Sequence, residues 1–153
     1  MALSGAVRWC LIAAAGLLLT AMMGLTVVDV VGRYLLNAPV PGAFEATEIM
    51  LALAIFAGLP IVTARGEHVS VRLLVDHFPA PLRRVLDLIA ELFVAALLAG
   101  AAYLLIQRGA ALADFGDATV LLRIPLAPVA FALAVLSAIA AVVALARFLK
   151  MLR

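Results

Sequence analysis

Four long stretches of this chain carry no charged residue, and that constrains its fold more than any other feature. Residues 9–28, 49–64, 92–107 and 124–146 contain no Asp, Glu, Lys or Arg. At about 1.5 Å of rise per residue, the twenty residues of the first stretch cover roughly 30 Å as a helix, the thickness of a bilayer's hydrocarbon core. A peptide backbone in lipid must satisfy its own polar groups, and runs of this length do so as α-helices. The predicted fold is therefore an all-α membrane protein of four transmembrane helices, one domain over residues 1–153 with spans at about 9–31, 44–64, 84–108 and 124–147. Composition agrees, since 68% of the residues are hydrophobic and 13% charged, against about 25% charged in soluble domains.

The first stretch follows Arg8 and is longer than the 7 to 15 residues typical of a signal-peptide core, so it reads as an uncleaved anchor. The second reaches spanning length if residues 44–48 form its first turn, and Pro60 predicts a kink near Phe56. The third extends backward through residues 82–91, where Arg84, Asp87 and Glu91 share one helical face, so this helix is expected to start in the interface and enter tilted. Pro125 and Pro128 stand at the start of the fourth, where a missing amide donor costs little.

Eight of the eleven Lys and Arg residues fall on one side of these spans: Arg8, Arg65, Arg72, Arg83, Arg84, Arg147, Lys150 and Arg153. Arg33, Arg108 and Arg123 fall on the other. The positive-inside bias predicts both termini in the cytoplasm, with Asn37 and residues 114–117 outside. A net charge of +2, scattered along the chain, gives no footprint for nucleic acid. Cys10 is the sole cysteine and reads as a small packing residue in an apolar run.

Between spans two and three, Val71, Leu74, Val75 and Phe78 recur at i, i+3, i+4 and i+7. This predicts a short amphipathic helix over about 68–79 lying in the interface, either a simple connector or a docking surface for another subunit.

Ionisable residues near the spans are functional candidates because they are costly in lipid. Asp29 and Arg33 stand at i and i+4 at the outer end of span one and predict an ion pair or interface anchor. Glu45 and Glu48 lie one turn apart at the start of span two, where negative charge complements the helix N-terminus. They point the same way, which does not make an acid/base pair across a substrate. Pairing with Arg33 and partner binding are the two readings open to them. His68 and His77 are the only histidines and lie outside the apolar runs, so the chain lacks two facing haem ligands within the bilayer. His68 beside Glu67 reads as a polar loop contact or a proton-coupled group. No metal-ligand cluster, phosphate-binding glycine loop or nucleophile elbow occurs, and no cofactor is expected in this chain.

Taken in order, Asp29, Gly32, Arg33, Tyr34, Asn37, Pro41, Glu45, Glu48, Phe56, Gly58, Arg65, His68 and Val71 form a string that resembles the small membrane subunit, the DctQ-type small permease, of tripartite ATP-independent periplasmic (TRAP) transporters. The likeness is closest over residues 27–76. The G-R-Y-x-x-N turn, the acidic pair and R-x-x-H-x-x-V carry it together. The chain departs from the family pattern at Arg72, where members often carry an acid. The resemblance implies a non-enzymatic subunit in the bacterial inner membrane beside a large membrane subunit that holds the sodium and substrate sites, supplied by a periplasmic binding protein with an organic acid. It also marks Asp29, Arg33, Tyr34, Glu45, Glu48, Arg65 and His68 as structural or partner-interface positions. Gly16, Gly24, Gly100 and Ser137 are small residues suited to lateral packing against that partner. A self-contained oligomeric carrier or channel is the alternative class, and would need a polar path through the bilayer.

Overall fold

In the computed structural model, which describes residues 5–66 and 79–152, the chain forms four helices: α1 (Gly5–Leu35), α2 (Ala43–Arg65), α3 (Ala80–Phe115) and α4 (Leu126–Leu152). All four are long and apolar enough to cross a membrane. α1, α2 and α3 each contain one of the uncharged stretches and α4 all but the first two residues of the last; α1 and α3 run well past theirs. With 36 residues, α3 is about 54 Å long. The predicted interfacial helix, with His68, Arg72 and His77, lies outside the described residues.

Packing follows a row rather than a closed bundle. α1 packs on α2, α2 on α4, and α4 along most of its length on α3. The inner pair is built from small side chains. α4 buries Ala127, Ala130, Ala134, Ser137, Ala140, Val143 and Ala144, while α3 buries Ala95, Ala102 and Gly109 at intervals of seven. Seven-residue spacing keeps one seam of a helix facing its neighbour, and small residues let the two backbones approach closely. The Phe131 ring fills the space over Gly109, where an added Cβ would sit 2.9 Å from it. Ser137, fully buried, donates to the Leu98 carbonyl at 3.0 Å across the seam. Ser137 is therefore spent inside the chain and is not the lateral contact the sequence suggested. Gly16, Gly24 and Gly100 do face open space.

α1 buries only Gly32. Cys10, expected as a packing residue, is exposed there. α2 continues as one helix through Pro60, which is fully buried. Threonines in the spans, Thr20, Thr26, Thr47 and Thr63, each donate to the carbonyl four residues back, which keeps their hydroxyls satisfied where water is scarce. Pro125, expected at the start of the fourth helix, lies just before it in a hairpin over 116–125, paired with Ala118 in an antiparallel bridge.

Candidate functional site

The C-terminal end of α1 and the N-terminal end of α2 carry five of the residues singled out by sequence, Asp29, Arg33, Tyr34, Glu45 and Glu48. Arg33 donates to Asp29 Oδ2 at 2.8 Å, the i,i+4 pair that helix spacing predicts. Asp29 reaches further, since its Oδ1 accepts the Val40 amide at 2.9 Å. The acid thus ties the last turns of α1 to the chain leading into α2. Gly32 is buried beneath that turn, and its carbonyl accepts the Leu36 and Ala38 amides. A Cβ on Gly32 would stand 2.6 Å from the Ala38 oxygen, so this position takes no larger residue without moving the turn. Asn37 adopts a positive φ of 51°, a conformation asparagine tolerates better than most residues. The G-R-Y-x-x-N pattern is thus a local instruction for reversing the chain. Tyr34 points away from the rest of the molecule and is 79% exposed.

Glu45 lies in the first turn of α2. Its two oxygens accept the amides of Leu121 and Leu122, at 2.9 and 3.0 Å, from the hairpin between α3 and α4. The pairing with Arg33 expected from sequence does not form: Arg33 is held by Asp29, and Glu45 by backbone donors. Gly42, the residue before α2, has φ 77° and lies against the Leu122 side chain, which occupies the space a Cβ would need. Glu48 is exposed and borders a cleft of about 370 Å³ with Glu45, Ala118 and Thr119. A second cleft, of about 470 Å³, opens between Asp29, Arg33, Pro39 and Phe44.

Arg65 belongs to the opposite end of α2, about 30 Å from Glu45 along the helix, and His68 lies outside the described residues. The candidate residues are therefore not one site. At that second end the structure shows a junction the sequence did not disclose. Arg147 donates through Nε to Glu91 at 2.8 Å and through Nη1 to the Ala64 carbonyl at 3.0 Å, joining α4, α3 and α2. Arg84 donates to the Met151 carbonyl at 3.1 Å, satisfying an end carbonyl of α4. The face bearing Arg84 and Glu91 is turned to α4. The signal that could have found this pair is an acid and a base at the edges of two uncharged stretches, Glu91 before 92–107 and Arg147 after 124–146.

Among the described residues, no group of three or more His, Cys, Asp or Glu side chains is placed to hold a metal ion. The polar groups at both ends fasten helices and turns together. The family model of the DctQ component of tripartite ATP-independent periplasmic transporters matches residues 22–153. The chain belongs to this DctQ family. No curated protein matches it. The match begins within α1 and runs through the turn between α1 and α2, the hairpin and the Arg147 junction, so the fastened ends of all four helices fall within the family's extent. As a DctQ component, the chain is a multi-pass membrane protein of a TRAP transporter.

Proposed function

We propose that this DctQ chain is a lateral scaffold: it widens and anchors the large membrane subunit of a sodium-coupled transporter that takes up an organic acid from a periplasmic binding protein. The observation that carries this reading is the row order of the helices. α1 touches only α2 to any extent, and none of its most apolar eighteen-residue window is buried. Gly16 and Gly24 open onto the same uncovered helix, where small residues favour close helix contact. Sodium and the organic acid would be bound by the large subunit, and both termini would face the cytoplasm across the inner membrane.

Copurification tests it directly. A tagged chain solubilised in mild detergent should retain a larger multi-span protein, and Gly16→Leu with Gly24→Leu should reduce that recovery severalfold while α3 and α4 stay paired. A chain that is monodisperse and transports alone in liposomes would reject the scaffold role in favour of a self-contained carrier.

A further inference from the structure

The hairpin 116–125 exposes Val120 by 84%, Leu121 by 65% and Leu122 by 41% at its tip. Three consecutive exposed apolar residues at a water-facing turn are unfavourable. Four backbone amides around them have partners, however. Thr119 N donates to the Ile124 carbonyl and Ile124 N to Thr119 Oγ1, and Leu121 N and Leu122 N both donate to Glu45. Each amide with a partner inside the protein lowers the cost of bringing an irregular turn into the bilayer interface, where water is scarcer.

Its depth agrees. Arg147 bonds the Ala64 carbonyl, which sets α4 and α2 level at one end. Counting from there at about 1.5 Å per residue, a 30 Å hydrocarbon core reaches Glu45 on α2 and Ala127 on α4. The hairpin is fixed to Glu45 at that boundary and folds back along the helices. Val120 shares its cleft with Ile49, Ala52 and Val129 from the uncharged runs, and Leu121 shares the other with Thr26 and Thr47. The exposed surface of the tip is thus continuous with the lipid-facing sides of α1, α2 and α4, and exposed Arg123 follows it to meet phosphate headgroups.

We propose that Val120, Leu121 and Leu122 insert among the phospholipids of the leaflet on their side, with Glu45 replacing water as acceptor for the tip amides. The occupant of this surface is the bilayer itself. In a Cys10→Ala background, Val120→Cys carrying a nitrobenzoxadiazole label would be reconstituted into phosphatidylethanolamine and phosphatidylglycerol vesicles, with Asp114→Cys as the water-facing control. The label at residue 120 should be quenched strongly by shallow doxyl-labelled lipid and severalfold less by aqueous iodide than the control. Iodide quenching equal to the control would overturn the proposal, as would protection from both quenchers, which would mean that protein covers the tip. Adding Glu45→Ala should raise iodide access at residue 120 toward the control, with Glu45→Gln intermediate. No change in Glu45→Ala, with helix content retained, would overturn the part assigned to Glu45.

Discussion

Arg147 shows what one residue does in this chain. Its guanidinium bonds Glu91 and the Ala64 carbonyl and lies against Gly66, leaving no room there for a side chain. Their side chains are only 26% and 11% exposed, and removing one member leaves the other charge poorly solvated. Glu91→Ala is expected to cost about 2–3 kcal/mol, read as a lowered unfolding midpoint in detergent, and replacing both residues should cost less than the sum of the single changes. Strict additivity would mean the pair is not coupled. Such a pair is hard to find by sequence because its members stand 56 residues apart, whereas Asp29 and Arg33 are four apart and a helix alone brings them together. Glu45 shows the same limit: its partners are backbone amides 76 and 77 residues away, and every residue type but proline carries such a donor. In the outer turn, Arg33→Ala should reduce recovery of the large subunit more than His77→Ala, because the Arg33 side chain is 60% exposed beside the turn that Asp29 holds. Equal losses would contradict that ranking.

Among elements, the α3–α4 seam is the most instructive. Hydropathy located both helices but could not orient them, because lipid is as apolar as leucine and the usual contrast between inside and outside vanishes. Ser137 was legible as a contact residue and not as to which helix it contacts. What distinguishes the seam is size: Ala95, Ala102 and Gly109 on one side meet Ala130, Ala134 and Ser137 on the other. Ser137→Ala should cost about 0.6 kcal/mol, the average for one interhelical hydrogen bond in a membrane protein. Ser137→Leu should cost more, about 1–3 kcal/mol, since the fully buried site has no room for added methylenes. Thermal unfolding in detergent would separate the two, and equal effects would mean the seam gives way easily. The same volume argument does not apply at Gly16 or Gly24, where nothing lies within 4 Å.

For the whole molecule, the positions of its cations have to be consistent with the row of helices. Four crossings put both ends on one side, and eight of eleven Lys and Arg residues lie on that side. The fastenings differ between the two ends in a matching way. At one, arginines supply the donors, with Arg147 and Arg84 bonding the carbonyls of Ala64 and Met151; at the other, carboxylates supply the acceptors, with Asp29 and Glu45 bonding the amides of Val40, Leu121 and Leu122. Each of these charges satisfies backbone groups that the helices and turns leave open, so they cannot be exchanged between ends without breaking the turns. The proposed orientation puts the cation-rich end in the cytoplasm by the positive-inside bias, and under it the same residues that fold the ends also orient the chain. Alkaline phosphatase fused after Arg153 should be inactive, and the enzyme inserted after Asp114 should be active in the periplasm. The reverse pattern would mean that the fastenings satisfy the helix ends without setting the direction of insertion.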